Sequence, residues 1–429
     1  MKKIHIENVG PIINAVDIRF ERFCILVGPQ CSGKSTVAKI LSYCMWLEKK
    51  ICIQAILNDE FDEIKDFKEN LESFHRIHDY ISESKSVITF ESDFIFIEYK
   101  KGIFNYKIKT DKQYSRKKVL YIPSDRNFIS IKNSAGFNLP ISSLRSFSFD
   151  WFYCREYYTQ KNKLNILNLD FSYVNNKNNN KSDDYIVHKN GKTYKLPLSD
   201  CSSGAQSVVP LVVALNFYTN KYVSVYQNEL SFYNNLKTVE LLQKILKKLS
   251  VETEVNSIVE KKFNKNNDRS DISKTVSNLT EALDVFYRLT KPSGTEFIIE
   301  EPEQNLFPST QCELISYIFD CCNNIKYKSS AIITTHSPYI LSSINLLLLG
   351  SMIRNKSSND ENFIKKINKI LPYNSVIDSN EIEIYEISSG KCKSLKDPDT
   401  NLISENAIDS ESEFIDSKFN ELYDLLTEI

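Results

Sequence analysis

Apolar and polar residues alternate with a period of two in KIHIENV, AVDIRF and FCILVG, which predicts three short strands within residues 1–27. The third is apolar almost throughout, as a strand covered on both faces should be. Gly28 to Gly33 breaks the pattern, and from Ser35 to Leu47 (STVAKILSYCMWL) the apolar spacing becomes helical. Residues 53–85 read as further polar, amphipathic helix. From Ser86 period two returns in VITFESDFIFIEY and IFNYKIKT, which flank Lys100-Lys101-Gly102 as a hairpin, and KVLYIPSDR adds a strand ending at Pro123. The aromatic stretch from Phe128 to Leu169 reads as irregular and helical.

NNKNNNKSDD (175–184) is polar, low-complexity sequence with nothing to bury, so a mobile loop is expected there. DYIVHK and KTYKL follow as a second hairpin around Asn190-Gly191, a dipeptide suited to a type I′ turn. Helical periodicity dominates from Ser207 to about Phe263 and is interrupted at NKNNDRSD (264–271). TEFIIE (295–300) and AIITT (331–335) are short apolar strands with a helix between them, and the tail carries EIEIYEI and an amphipathic final helix. Strands, a helical middle and strands again predict one α/β core with a helical insertion and no internal repeat. Its parts are expected at 1–125 (an antiparallel β lobe with the loop after FCILVG), 126–293 (helical) and 294–429 (the last strands).

Composition narrows the class. The 429 residues are 41% hydrophobic and 25% charged, the profile of a globular chain with a sizeable core. A net charge of −1 makes the whole molecule no magnet for nucleic acid, so DNA contact needs local basic patches. Ser115-Arg116-Lys117-Lys118 and EKKFNK (260–265) are such runs, with solvated faces the favoured reading. The most apolar stretch, Tyr339 to Leu349, falls well short of the roughly 20 residues a membrane helix needs. MKKIHIENVG is basic but lacks a following apolar run, so no signal peptide is expected. Ten cysteines without a CxxC pair suit reduced thiols and a cytoplasmic setting. His75 and His78, three apart, suggest a solvated helix face over a metal site.

Candidate chemistry sits at strand ends. Gly28-Pro29-Gln30-Cys31-Ser32-Gly33-Lys34-Ser35 matches G-x4-G-K-[ST] directly after an apolar strand and before a helix. Glycines there let backbone N–H groups face phosphates, Lys34 adds a point charge, the helix N-terminus containing Thr36 adds its partial charge, and Ser35 offers a hydroxyl to Mg²⁺. Gln30 belongs to the cradle or only shapes it. A plain Gly-rich turn is the alternative, disfavoured by the strand before and the helix after. FIIEEPE (297–303) places two carboxylates at a strand end: Glu300 to orient Mg²⁺ and Glu301 to take a proton from the attacking water. His336, at the end of a further strand, suits a hydrogen bond to the γ-phosphate or a structural role. Ser337-Pro338 after it reads as a helix start.

Taken in order, the P-loop, Ser202-Ser203-Gly204-Ala205-Gln206, the run Glu300-Glu301-Pro302-Glu303-Gln304-Asn305-Leu306-Phe307-Pro308 and Thr335-His336-Ser337-Pro338 resemble the ABC-type ATPases of the SMC, RecF and OLD-like branch. The resemblance implies a P-loop NTPase core of ABC/SMC-head type that binds ATP and Mg²⁺ and hydrolyses ATP. It also implies a homodimer, or a higher homo-oligomer, of heads sandwiching ATP, in which Ser203, Gly204 and Gln206 complete the site of the other copy. Tyr121-Ile122-Pro123-Ser124-Asp125-Arg126 is similar to the YIPAER-like segment of OLD-like ATPases, where Arg126 senses phosphate, faces a partner or is an ordinary surface arginine. The same likeness implies action on DNA or on a separate effector, a nuclease or toxin, as in bacterial anti-phage defence. A nucleotide-binding subunit of a membrane transporter and a non-hydrolysing ATP-binding module are the alternatives.

Overall fold

The structure is a computed structural model that describes residues 2–57, 66–110, 114–131, 139–178, 181–188, 194–225, 243–247, 269–324, 327–357, 360–371 and 374–427. Continuously apolar strands build its central layer. β3 (Phe23–Val27), β7 (Lys118–Ile122), β12 (Thr295–Glu300), β13 (Ser330–Thr335) and β14 (Ile382–Ser388) run parallel, and β15 (Lys391–Ser394) adds an antiparallel edge, in the order β15-β14-β3-β13-β12-β7. Every residue of β3 and β12 is buried, because both faces of the sheet are covered.

Successive side chains on these strands enter different cores. Phe23, Ile25, Val27, Phe297, Ile299 and Ile333 face one way, toward α4 (Ser143–Arg155), α5 (Ser203–Asn220), α7 (Pro308–Cys322) and α8 (Pro338–Lys356). Cys24, Leu26, Ile298 and Ile332 face the other, toward α1 (Lys34–Leu57) and a five-stranded antiparallel sheet. That sheet has the order β2-β1-β4-β5-β6 and comprises β1 (Lys2–Glu7), β2 (Val16–Phe20), β4 (Val87–Glu91), β5 (Ile95–Lys100) and β6 (Ile103–Ile108). Its strands alternate buried and exposed positions, as in VDIRF, because only one face meets the core. The remaining described elements are α2 (Phe67–His75), α3 (Phe128–Ile131), β8 (Leu164–Asn165), β9 (Phe171–Asn178), β10 (Lys181–His188), β11 (Lys195–Pro197), α6 (Arg269–Thr290), α9 (Glu361–Ile370) and α10 (Ala407–Thr427).

The three N-terminal strands, the β5–β6 turn at Lys100-Lys101-Gly102, the β10–β11 pairing and the late strands lie where the apolar period places them. VITFESDFIFIEY splits into the antiparallel pair β4 and β5, and the Asn190-Gly191 turn lies outside the described residues. Other expectations are corrected. The Asn-rich stretch 175–184 is not a loop over its described residues: β9 and β10 pair along it, Asn175 opposite Asp184. Both side chains are buried, and Asp184 accepts from Asn175 Nδ2 at 2.9 Å, Arg155 Nη1 at 2.6 Å and the Tyr173 hydroxyl. A strand whose buried positions carry a satisfied polar network has no apolar alternation to display.

The His75/His78 helix face also fails. α2 ends at His75, Arg76 turns left-handed at φ 53°, and only His75 is buried. Among the described residues between Phe128 and Leu169, only those of α3 and α4 are α-helical. Lys117 and Lys118 are not a basic patch, since they pair with Glu296 at 3.1 Å and Asp150 at 2.6 Å. EKKFNK, the helical reading of residues 226–242 and 248–263, and residues 264–268 of the interruption expected at 264–271 lie outside the described residues. No helix among the described residues is long and apolar enough to cross a membrane.

His75 carries a consequence for stability. Its ring packs against Tyr121 and Phe74, neither ring nitrogen has a hydrogen-bond partner, and burial pushes its pKa down to about 3. Between the unfolded value near 6.5 and about 3 the unfolded chain binds the extra proton, so stability falls as pH drops through that window. Replacing His75 with Phe should flatten this limb, by several kcal/mol at its acid end. Denaturant titrations at pH 7 and pH 4.5 measure it, and equal pH dependence in both proteins would refute the assignment.

Candidate functional site

β3 delivers the chain into a loop whose shape needs glycine at two places. Gly28 has φ 146°, and a Cβ there would lie 2.1 Å from the Ile387 carbonyl oxygen. Gly33 has φ 109°, and its Cβ would lie 2.8 Å from Ile12 Cγ1. Cys31 between them, exposed, is itself left-handed at φ 59°. α1 then begins at Lys34, so the loop's amides and the free N–H groups of the helix face one cavity.

Lys34 is 4% exposed and closes over its own loop. Its Nζ donates to the carbonyls of Gly28 (2.9 Å) and Pro29 (2.7 Å) and lies 3.4 Å from His336 Nδ1. Burial lowers its pKa to about 8, against the opposing pull of Glu301 and Glu303.

The acidic pair stands at the end of β12, and its members differ. Glu300 is 4% exposed: Oε2 accepts from the Ser124 N–H at 3.3 Å, while Oε1 is buried without a hydrogen-bond partner. The buried Tyr121 hydroxyl stands beside that carboxylate, and burial together with the carboxylate raises its pKa. Glu301 leaves the strand at φ 41°, its N–H bonded to the Thr334 carbonyl at 2.9 Å. Its Oε1 lies 3.4 Å from His336 Nε2, and that hydrogen bond holds its carboxyl below the usual glutamate range. With Lys34 donating to Nδ1, the hydrogen-bond network assigns His336 the proton on Nε2. Lys34, His336 and Glu301 therefore form one line across the mouth of the loop.

Glu303 holds His336 in that line. Its Oε1 accepts from the Thr335 hydroxyl at 2.8 Å and the His336 N–H at 2.7 Å. Burial raises its pKa, and those bonds offset part of the rise. Beyond His336, the Ser337 hydroxyl caps α8 by accepting from the N–H groups of Tyr339 and Ile340. The motif spacing contained Glu303 but nothing in it distinguished an anchor from a spacer.

The resulting cavity, about 520 Å³, is lined by Gln30, Cys31, Ser32, Gly33, Lys34, Ser35, Thr36, Glu301 and His336. That volume suits a small-molecule ligand. Gly10, Pro11, Lys39, Arg76, Ile77 and Tyr80 complete its wall and carried no motif in the sequence. Gly10 permits the arrangement, since a Cβ there would overlap the Tyr80 ring. Among the described residues no cluster of three or more His, Cys, Asp or Glu could hold a metal. The Ser35 side chain lines the cavity, whereas Glu300, whose Oε1 lacks a hydrogen-bond partner, stands outside its wall.

Six expected site residues lie outside this wall: Gly28 and Glu300, described above, and Ser203, Gly204, Gln206 and Arg126. α5 starts at Ser203, four residues earlier than the periodicity indicated, with Ser202 as its cap. Ser203 is exposed, and Gly204 is pressed so close to the Asn305 carbonyl that a Cβ would lie 2.7 Å from it. Gln206 turns inward and donates to the carbonyls of Ser199 (2.8 Å) and Cys201 (3.0 Å), so its amide is not presented outward to a second copy. Arg126 matches none of its three readings: it is fully buried and bonds only backbone carbonyls, away from cavity and surface.

One strand, β13, separates the P-loop strand from the acidic strand, and an antiparallel sheet covers one face of the layer. The result is an α/β architecture in which a glycine-shaped loop leaves one strand of a mostly parallel sheet and leads into a helix. No family model and no curated protein matches the chain. Among solved structures it is similar to the SMC head bound to the C-winged helix domain of ScpA, at 11% identity over 91% of this chain and 96% of that one, TM-score 0.39. It is also similar to the SMC head domain from Thermotoga maritima (12% identity, 80% and 90% covered, TM-score 0.32). A third is the recombination mediator RecF-ATPrS (11%, 92% and 97%, TM-score 0.28).

Replacing Glu303 with Ala should strand the His336 N–H and the Thr335 hydroxyl. A stability loss of about 1–3 kcal/mol is expected in urea titration, and an unchanged midpoint would show that Glu303 does not anchor this corner.

Proposed function

We propose that the chain binds ATP with Mg²⁺ in this cavity and hydrolyses it. The observation that carries the reading is the line Glu301–His336–Lys34 laid across a glycine-shaped loop at the start of a helix. Loop amides from Gly28 to Gly33 would surround the phosphates, and Lys34 would exchange its loop carbonyls for phosphate oxygens. That exchange frees the His336 ring from Lys34, so that a ring N–H would donate to the terminal phosphate. Glu301, kept ionised by His336, would accept the proton of the attacking water. Ser35 and Glu300 would hold Mg²⁺, which supplies charge neutralisation on the phosphates.

Ser203 and Gly204, at the outward start of α5, would meet the nucleotide of a second copy, so that two heads close on two ATP molecules. The same reading extends to a cytoplasmic switch that controls a separate effector, a nuclease or toxin in anti-phage defence, or acts on DNA.

Lys34→Ala should abolish nucleotide binding, measured with a fluorescent ATP analogue. Glu301→Gln should retain binding, slow phosphate release by roughly 10²–10⁴-fold and accumulate an ATP-bound dimer in sedimentation. Parental phosphate release by the Gln variant would remove Glu301 from the base role.

Lys34 also predicts a pH dependence. With a pKa of about 8 in the free protein, it loses its charge above that pH, so affinity for ATP should fall as pH rises from 7 to 9. Lys34→Arg should flatten that fall if it still binds, and a flat parental profile would contradict the account.

A further inference from the structure

Arg126 spends all five of its N–H donors on backbone carbonyls drawn from three separate segments. Nη1 donates to Glu300 at 2.8 Å and Pro123 at 3.3 Å, and Nη2 to Glu301 at 3.0 Å and Pro302 at 3.3 Å. Nε donates to Ser207, in α5, at 3.2 Å. One rigid guanidinium thus grips three consecutive carbonyls of the acidic loop and one carbonyl near the start of α5. The gripped loop is strained, with Glu301 left-handed at φ 41°, a conformation a non-glycine residue keeps only when its surroundings enforce it.

A second tie joins the same two places. Pro210 lies inside α5 and has no N–H, so the Gln206 carbonyl four residues earlier lacks its helical donor. The Ser130 hydroxyl fills that vacancy at 2.9 Å. Ser130 belongs to α3, which follows Arg126 directly. The segment from Arg126 to Ser130 therefore holds the first two turns of α5 at two successive carbonyls and the backbone of Glu301 at a third point. The outer end of that helix is the exposed Ser203, with Gly204 seated on the Asn305 carbonyl of the loop that continues from Glu301.

We propose that Arg126 is a positioning residue that ties the start of α5 to the backbone aiming Glu301, so that engagement at Ser203 and Gly204 adjusts hydrolysis within the same copy. This rests on the reading of Glu301 as the base. Lysine at 126 keeps the charge but has one nitrogen and no planar fork, so it cannot hold both ends at once.

The test compares the parental protein, Arg126→Lys, Glu301→Gln and the double variant in ATP affinity, kcat, KM and thermal midpoint. Arg126→Lys should bind ATP within about threefold of the parent and lose about tenfold or more in kcat, and it should add no further loss to Glu301→Gln, because both changes act through one group. A slow Glu301→Gln beside a parental Arg126→Lys overturns the coupling alone. A parental Glu301→Gln overturns the base assignment and the coupling with it. Losses that multiply in the double variant, or a change in KM without kcat, would make Arg126 a general packing residue and also overturn the coupling.

Should Arg126→Lys fail to fold, Ser130→Ala decides. It should lower kcat, and Pro210→Ala in the same chain should restore it by returning an N–H to the Gln206 carbonyl. A silent Ser130→Ala, or an unrestored rate, would sink the coupling.

Discussion

Three parallel strands end level with one another. Val27 pairs with Thr335, and Thr334 with Glu300, so the loops after β3, β12 and β13 leave the sheet at a single edge. Hydrogen-bond register, set by continuously apolar strands buried on both faces, is what brings Lys34, Glu301 and His336 within reach despite their separation along the chain. A slip of one residue in β13 would turn its side chains to the opposite core and carry His336 away from both partners. The chemistry at this edge is therefore underwritten by packing several residues away from it.

Electrostatics then completes what register begins. Lys34, Glu303 and Arg126 are removed from water, and burial opposes their charged forms. Mutual attraction offsets only part of that: Lys34 lies in the field of Glu301 and Glu303, and Arg126 in that of Glu303, Glu300 and Glu301, yet burial still lowers the pKa of both. Removing a single member would leave an uncompensated buried charge, a cost that falls on the whole fold as well as on the site. Glu301 alone keeps a partly open position, about a third exposed, which is the position a group that meets water requires.

How much of this was legible in the sequence depends on the kind of signal each residue carries. Period two and continuous apolar runs located the central strands, because in them burial is apolar. The Asn-rich β9–β10 pair escaped, because the buried positions Asn175 and Asp184 are polar and are stabilised by each other and by Arg155. The cradle was legible because glycine at positions 28 and 33 answers to backbone geometry. Arg126 was noticed through the likeness of its segment to YIPAER-like sequences, yet its hydrogen bonds reach carbonyls at 207 and 300–302 that no local pattern joins. Tyr80, Ile77 and Arg76 went unseen for the same reason: a wall assembled from a turn after α2 leaves no spacing to read. Gln206 shows the opposite failure, a motif position whose side chain serves its own loop.

The account stands or falls on where the terminal phosphate comes to rest. A structure of the protein with Mg²⁺ and a slowly hydrolysed ATP analogue measures this directly. It should show the γ-phosphate on Lys34 and His336, with Glu301 one water molecule away. A nucleotide bound elsewhere, or a Glu301 carboxylate turned from that phosphate with no water between them, would contradict the account.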